Sequence, residues 1–348
     1  MKMTFRWFGD DDNVTLDQIR QIPGVSGIVS AIYDVPVGET WPLEKIFELK
    51  SKIEAKGLTL EVIESVPVHE DIKLGLPTRD KYIANYQATL RNLAKAGIKV
   101  VCYNFMPVFD WTRSHLEYQF ADGSTTLIYQ DETIQRMNPL VGDLELPGWD
   151  TSYKKSELKV LIDQYQGVSE EDLWNNLQYF LKHIIATADE VGVKMAIHPD
   201  DPPWSIFGLP RIITNQTNLE RLLSLVDSPN HGLTFCTGSL GADPSNHLPE
   251  MIRYFGQMGR IHFAHCRNVR ITGEKSFVET SHRSADGSID MVEVLKAFHD
   301  IGYKGPMRPD HGRMIWGERG RPGYGLYDRA LGATYLNGIW EALQKATV

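Results

Sequence analysis

The sequence predicts an α/β protein with a (β/α)₈ TIM barrel, because eight short β-rich runs alternate with amphipathic helices along the chain. These runs are bounded by turn residues and cover residues 4–8, 27–32, 58–64, 99–104, 194–198, 232–236, 260–265 and 305–310. Strands that alternate with helices form parallel βαβ units with right-handed crossovers, and eight such units close a barrel. The alternative is an open doubly wound sheet, but no GxGxxG-type phosphate turn follows any of these runs.

Two of the helices between these strands carry clear signals in the sequence. The second of them begins after Ser169, carries three acidic residues in its first turn and continues to Gly192. Acidic side chains are favourable there because the N-terminal end of the helix dipole is positive. The first is predicted from residues at helical spacing, and Gly97 follows where that helix would end. The residues with this spacing are Tyr82, Tyr86, Leu90, Leu93 and Ala94.

The length of the chain permits one domain or two. A chain of 348 residues is commonly a single domain when it forms an α/β barrel. We therefore expect one barrel domain over residues 1–348. Its main irregularity is a stretch rich in polar and aromatic residues, 110–167, between predicted strands four and five. A structureless loop of that length is unusual in a compact domain, so we interpret this stretch as an ordered functional insertion or lid.

Composition and charge exclude several classes of partner. The formal net charge is -9, which gives no global attraction for nucleic acid or an anionic membrane. Three cysteines are too few for a disulfide framework and fit a reducing compartment. The N-terminal residues become acidic before an apolar segment forms, and no run reaches the roughly 18 apolar residues of a membrane span. We expect a cytoplasmic protein.

Four predicted strands end in residues that bind metals well. The runs MAIHPDD, LTFCTG, HFAHCRN and MRPDHGR each change from apolar residues to a potential ligand where the strand should end. Catalytic groups of a barrel come from the C-terminal ends of its strands, so side chains remote in sequence can converge there. Two imidazoles, a thiolate and a carboxylate suit a first-row divalent ion better than Mg²⁺ or Ca²⁺. The predicted ligands are His198, Cys236, His265 and Asp310.

Further candidates for substrate chemistry lie near the same strand ends. Asn104 ends strand four, and Trp111 belongs to the aromatic run that follows it. Arg308 precedes the predicted ligand Asp310, and an arginine fork suits a substrate carboxylate. His311 follows the same ligand. A glycine-rich segment after strand eight, GERGRPGYGLYDRA, adds several arginines and tyrosines.

The longest motifs resemble one enzyme family. The runs MTFRWFG, YNFMPVFDWTR, AIHPDDPPW, FCTGSLG, HFAHCRN and RPDHGR, with GYGLYDRALG, resemble mannonate dehydratase of the hexuronate pathway over nearly the whole chain. The resemblance implies a xylose-isomerase-like barrel that removes water from D-mannonate to give 2-keto-3-deoxy-D-gluconate, with Mn²⁺ or Fe²⁺ as the metal. It also implies a homo-oligomer, a dimer or higher.

The resemblance also assigns residues. The metal ligands of the family fall on the four strand-end residues already named. Its acid/base tyrosine falls on Tyr324 in the GYG run, and His311 is the second acid/base candidate. One of the two would take the C2 proton and the other would protonate the departing C3 hydroxyl; the sequence does not decide which. Arg308 is expected to bind the substrate carboxylate or to screen the charges of the site.

Two other functions fit the same residues. A metal-dependent sugar isomerase or epimerase could use the same scaffold, although those barrels, by resemblance, usually carry a carboxylate-dominated cluster with paired glutamates. Here only Asp310 is a carboxylate ligand and a thiol takes one position. A non-catalytic sugar-acid-binding protein with a structural zinc is the alternative from another class, and a closed four-ligand site would favour it.

Overall fold

A computed structural model describes residues 1–137 and 155–346. Within these residues, eight parallel strands close a barrel in the order β1-β12-β9-β8-β7-β4-β3-β2. The barrel strands are β1 (Lys2–Arg6), β2 (Val25–Ser30), β3 (Thr59–Glu64), β4 (Val100–Tyr103), β7 (Lys194–Ile197), β8 (His231–Cys236), β9 (Ile261–Cys266) and β12 (Pro306–Pro309). The predicted fold class is confirmed, and the predicted strand bounds differ from these by at most two residues. Strand β1 begins early because Lys2 already pairs with Pro306 of β12.

Helices follow the barrel strands as the βαβ pattern requires. None of those that the structure describes is long and apolar enough to cross a membrane. The helices are α1 (Leu16–Ile19), α2 (Leu43–Glu54), α3 (Glu70–Lys73), α4 (Arg79–Lys95), α5 (Asp131–Arg136), α6 (Lys155–Gln164), α7 (Glu170–Val191), α8 (Gln216–Leu225), α9 (Thr237–Leu240), α10 (Leu248–Gln257), α11 (Met291–Asp300) and α12 (Tyr327–Ala346).

A second, antiparallel sheet lies outside the barrel. It has the strand order β10-β11-β6-β5 and joins two separate excursions of the chain. Strands β5 (His115–Gln119) and β6 (Thr125–Tyr129) follow barrel strand β4, whereas β10 (Val269–Gly273) and β11 (Ser276–Glu279) follow β9. The stretch 110–167 that we interpret as an insertion thus contains β5, β6, α5 and α6 in its described part, while residues 138–154 of it lie outside the described residues.

Helix α7 shows how local sequence sets up the strand that follows it. Ser169 caps the helix, since its side chain accepts from the backbone N–H of Asp172 and the carboxylate of Asp172 accepts in return from the backbone N–H of Ser169. Gly192 ends it in the left-handed conformation, with φ 69°, and β7 begins two residues later. One face of the helix is buried through Leu173, Leu177, Phe180, Leu181, Ile184, Ile185 and Ala188.

The barrel interior is filled with side chains rather than open. Since side chains alternate along a strand, the residues two positions before a strand-end group face the same side of the sheet. One buried cluster has this spacing relative to several strand ends and contains Val29, Val62, Val100, Cys102, Ala196 and Phe263. The ring of Phe263 packs edge-on against that of His265 at 4.5 Å between centroids. A packed layer of buried side chains therefore lies directly below the strand ends inside the barrel.

Gly192 allows a test of the turn between α7 and β7. A Cβ added there would meet nothing within 4 Å, so Gly192→Ala should destabilise the protein only through its left-handed backbone, by about 1–2 kcal/mol. Chemical denaturation followed by circular dichroism would measure the loss.

The same substitution elsewhere provides the matched control. Gly338 lies inside helix α12, is exposed, and likewise offers open space to an added Cβ, but it has no positive φ. Gly338→Ala should therefore stabilise the protein by up to about 1 kcal/mol, because alanine is the better helix former. Equal effects of the two substitutions would contradict the argument from backbone conformation.

Candidate active site

The ends of β7, β8 and β9 bring three potential ligands together. His198 directly follows β7, Cys236 ends β8, and His265 lies on β9 opposite Cys236 in the strand register. One ligand atom from each lies within 4.8 Å of the other two. The next strand pairs Arg308 with His265, which places Asp310 just beyond the end of β12 at the same edge of the barrel.

The contacts of the two imidazoles leave one nitrogen of each ring free to bind a metal. His198 Nδ1 lies 2.6 Å from the carbonyl oxygen of Pro199, so Nδ1 carries the proton and Nε2 the lone pair. In His265 the positions are reversed, because Nε2 lies 3.3 Å from Glu64 Oε2, which can only accept. Arg308 Nε also lies 3.2 Å from His265 Nε2, but it can donate instead to the same Glu64 oxygen at 3.2 Å. His265 Nδ1 is buried and has no hydrogen-bond partner among the described residues. A buried unpaired nitrogen of this kind fits a metal ligand.

Cys236 and Asp310 complete the donor set. The thiol Sγ lies 3.6 Å from Asp310 Oδ2, and Asp310 Oδ1 lies 3.6 Å from Nδ1 of His265. The hydroxyl of Ser239 donates to the Cys236 sulfur at 3.1 Å. Two imidazoles, one sulfur and one carboxylate are the donor chemistry of a borderline first-row dication. The residues present therefore fit a divalent metal at this position.

Glu64 is a second carboxylate of the site and was not predicted. It ends β3 and accepts from Arg308 Nη2 at 2.9 Å, while Arg6 Nη1 lies 3.5 Å away. Burial by itself would raise the pKa of Glu64, but Arg308 and His265 hold it well below its usual value. An ionised carboxylate on His265 Nε2 fixes the orientation of that ring and makes Nδ1 a stronger ligand.

Arg308 is held by carboxylates of the protein. Besides its contact with Glu64, its Nη1 lies 2.8 Å from Asp310 Oδ1. The side chain of Arg308 is buried. Burial of Asp310 would raise the pKa of that carboxyl, but the effect of His311 and Arg308 on the pKa is larger and opposite. The net effect holds the pKa of Asp310 well below its usual value.

The two predicted acid/base residues contact each other. Tyr324 OH lies 3.0 Å from His311 Nε2, and the two rings meet edge-on. Trp111 packs beside them, with its centroid 4.9 Å from that of His311 and 6.4 Å from that of Tyr324. Burial, reinforced by Asp310, raises the pKa of the Tyr324 hydroxyl. The phenol therefore stays protonated at neutral pH and can donate a hydrogen bond.

A buried network of charges lies behind His311. Glu279, the last residue of β11, approaches His311 Nδ1 with both carboxylate oxygens, at 2.9 and 3.0 Å. Arg267 Nη1 lies 3.3 Å from Glu279 Oε1 and 3.4 Å from Asp310 Oδ2. Arg267 also binds Asp201. Burial raises the pKa of Glu279, but His311, Arg267 and Arg113 around it lower the pKa to about 2.

Arg113 closes this network from the insertion side. Its guanidinium forms a two-pronged pair with Asp201, at 2.7 and 3.0 Å, and also donates to Glu279 at 2.6 and 2.9 Å. The side chain of Arg113 is fully buried. The side chain of the predicted candidate Asn104 is hydrogen-bonded elsewhere: its amide donates to Asp110 at 2.9 Å, and its oxygen accepts from the backbone of Met106.

The structure thus brings eight of the nine predicted residues into one connected set and adds others. Glu64 could have been found by the strand-end rule that gave the predicted ligands, since it ends the third predicted strand. Arg267 and Asp201 stand inside the motifs HFAHCRN and MAIHPDD, each a few residues after a predicted ligand. Glu279 and Arg113 lie outside the barrel strands. Arg113 ends the motif YNFMPVFDWTR, but no pattern in the sequence indicates that either side chain is buried in the site.

Comparison with known proteins assigns the chain to a family. The model of the family described as D-mannonate dehydratase (UxuA) matches residues 1–348. Mannonate dehydratase 2 of Halalkalibacterium halodurans is 69% identical over 343 residues, which cover 99% of each chain. The crystal structure of mannonate dehydratase from Streptococcus suis serotype 2 is 54% identical, with a TM-score of 0.94 over 100% of this chain and 96% of the other.

A more distant likeness concerns the fold alone. A D-psicose 3-epimerase from Clostridium cellulolyticum H10 superposes with a TM-score of 0.56 over 99% of this chain and 97% of the other, at 16% identity. The prediction from the motifs is confirmed by the full-length family match and by the identity to the relatives above. The chain belongs to the D-mannonate dehydratase family.

Proposed function

We propose that this dehydratase removes water from D-mannonate, to give 2-keto-3-deoxy-D-gluconate, at the site formed by the ends of β7, β8, β9 and β12. The proposed ligands of its divalent metal, Mn²⁺ or Fe²⁺, are His198, Cys236, His265 and Asp310. The observation that carries this proposal is the clustering of ligand atoms from the first three within 4.8 Å, with Asp310 3.6 Å from two of them.

The reaction needs a proton removed from C2 and a hydroxyl lost from C3. Negative charge builds up on the carboxylate oxygens beside C2 as the proton leaves, and a bound dication stabilises that charge and orients the substrate. The C3 hydroxyl leaves as water after it receives a proton, and the resulting enol rearranges to the 2-keto acid. The protein must therefore supply one group that accepts a proton and one that donates it.

His311 and Tyr324 are the proposed acid/base pair. They lie side by side at 3.0 Å, so a proton gained by one can be balanced by a proton given by the other. Both are buried, which keeps bulk water from exchanging with the proton in transit. Neither residue belongs to the proposed ligand set, so both remain available to the substrate.

The proposed substrate contacts rest on Trp111, Arg308 and Asn104. Trp111 forms a wall beside His311, where its ring would pack against the sugar chain. The pairing of Arg308 with Glu64 and Asp310 supports a role in screening the charges of the site. The amide of Asn104 donates a hydrogen bond to Asp110 in this structure, and its contact with substrate stays a prediction.

Two further expectations stay predictions. We propose that the described part of the stretch 110–167 covers the site, since Trp111 and Arg113 contact His311 and Glu279, respectively. We also propose a homo-oligomer, a dimer or higher, which sedimentation velocity would check.

The activity can be tested against the isomerase alternative in one assay. The metal-loaded protein should convert D-mannonate to a 2-keto-3-deoxy acid and leave a neutral ketose unchanged. Formation of an isomeric sugar from the ketose, without any keto acid from mannonate, would refute the proposal.

Cys236→Ser tests the metal site. Loss of a residue that only hydrogen-bonds a metal ligand typically lowers metal affinity about 10–100-fold. Replacing the thiolate by a hydroxyl removes the soft, anionic donor itself, so the loss of affinity should be larger. Turnover should be nearly abolished while the circular dichroism spectrum is kept. Metal content after dialysis, measured by plasma mass spectrometry, is the direct check.

Cys266→Ser provides the control. Cys266 is also a buried free thiol at the end of the neighbouring strand, but it is not in the ligand cluster. This variant should lose some stability and keep its metal. If the Cys236 variant retains stoichiometric metal and full activity, Cys236 is not a ligand.

Tyr324→Phe separates chemistry from binding. It removes one oxygen and preserves the ring packing against Phe8 and His311. If the hydroxyl moves a proton in the transition state, kcat should fall by about 10²–10⁴-fold. KM and metal content should change little, because ground-state binding rests on other groups. Steady-state kinetics with mannonate would show this.

Tyr327→Phe is the matched control for that experiment. Tyr327 lies three residues further on, is partly exposed and packs against Trp316 rather than His311. Its replacement should leave kcat near the parent value. A Tyr324→Phe enzyme that behaves like this control would remove Tyr324 from the acid/base pair.

A further inference from the structure

We propose that Glu279 is a positioning residue that holds His311 in one tautomer, with the proton on Nδ1 and Nε2 turned to Tyr324 and the substrate. This inference rests on the proposed function, because it gives His311 its orientation within the proposed acid/base pair. Glu279 comes from β11 of the small sheet, outside the barrel.

The geometry distinguishes the two ends of the imidazole. Both oxygens of Glu279 lie within hydrogen-bond distance of His311 Nδ1, at 2.9 and 3.0 Å, whereas Nε2 faces Tyr324 OH at 3.0 Å. An ionised carboxylate has only acceptors, so the Nδ1 end must carry a hydrogen to bond it. The neutral ring then has its lone pair on Nε2, which accepts from the phenol.

Two contacts of the described residues bear on this assignment. Asp310 Oδ1 lies 4.0 Å from His311 Nε2, beyond hydrogen-bond distance, so the competing contact is that of Arg267. Its Nη1 also lies 2.9 Å from His311 Nδ1, and a guanidinium has only donors. If Nδ1 accepted from Arg267, it would carry a lone pair directed at two carboxylate oxygens of Glu279, which is repulsive. The donors of Arg267 have other acceptors, since its Nη1 reaches Glu279 Oε1 and Asp310 Oδ2. The arrangement with Nδ1–H toward Glu279 therefore satisfies more groups.

The surroundings of Glu279 keep its carboxylate in place. Arg113 donates to it at 2.6 and 2.9 Å, and Glu279 is only 2% exposed. Its own backbone carbonyl accepts from the hydroxyl of Thr126 on β6 at 3.0 Å. A carboxylate held on three sides cannot follow His311 if the ring turns, so it resists rotation of that ring. This is the arrangement by which a carboxylate orients a catalytic imidazole.

Glu279→Gln is the direct test in the metal-loaded enzyme. The amide can present either its oxygen or its NH₂ group to Nδ1, so both tautomers of His311 become accessible. We expect kcat to fall by about 10²–10⁴-fold, with KM and metal content nearly unchanged. Glu279→Asp keeps the charge but shortens the side chain by one methylene, so it should fold even if the glutamine variant does not, and it should show an intermediate loss of kcat.

Asp201→Asn is the matched control. Asp201 is an equally buried carboxylate that pairs with the same two arginines, Arg113 and Arg267, but its described contacts do not include His311. It should lower the melting temperature as Glu279→Gln does, with a much smaller loss of kcat. Equal losses of kcat in the two variants would show that Glu279 acts only through general stability, and the proposal would fall.

A double-mutant cycle separates this inference from the proposed function. If Glu279 acts through the imidazole, Glu279→Gln should cost almost nothing further in kcat when His311→Asn is already present. Losses that multiply would overturn the positioning role. A His311→Asn enzyme with normal kcat would instead refute the proposed role of His311. Loss of kcat in His311→Asn but not in Glu279→Gln or Glu279→Asp would refute this inference alone.

Discussion

The geometry of the site depends on pairing buried charges, and Arg267 is at the centre of that pairing. Its guanidinium contacts Asp201, Glu279 and Asp310, and it is almost fully buried. A charge moved out of water is costly unless it is paired, and loss of one partner from a buried pair typically costs about 3–5 kcal/mol. Its three carboxylate partners come from three separate segments: the loop after β7, the end of β11 and the end of β12. Asp310 begins the loop after β12, so its pairing with Arg267 helps to hold the proposed catalytic His311 beside it.

The charges closest to the predicted ligands are paired before any metal is considered. The four carboxylates of Glu64, Asp201, Glu279 and Asp310 are matched by the four guanidinium groups of Arg6, Arg113, Arg267 and Arg308. A bound dication would then have one anionic ligand whose negative charge is not already paired with an arginine, the Cys236 thiolate. The carboxylate of a bound sugar acid would supply the second negative charge. The charge balance thus favours an anionic substrate over a neutral sugar.

Strand ends are predictable from sequence, whereas the pairing of charges between loops is not. The eight runs and the four proposed ligands follow from period, turn residues and residue type, because a barrel strand must be apolar until it ends. The small sheet could not be predicted in this way, because its strands pair non-locally. Strands β5 and β6 are separated from β10 and β11 by more than a hundred residues. Nothing in the run SFVET indicates that Glu279 is buried against His311 rather than exposed on an edge strand. Arg113 ends the run YNFMPVFDWTR, but its burial is equally unpredictable, since an arginine in a polar loop is ordinarily solvated.

Two carboxylate–imidazole pairs divide the site into halves with different structural origins. Glu64 orients His265, and both residues belong to barrel strands, so the metal half follows from the barrel itself. Glu279 contacts His311 from the small sheet, so the acid/base half depends on elements added outside the barrel. A likeness of fold alone, such as that to the epimerase, carries no information about either half. The proposed proton-transfer groups and their partners lie after β4, β9 and β12, so we expect the reaction specificity to depend on those loops.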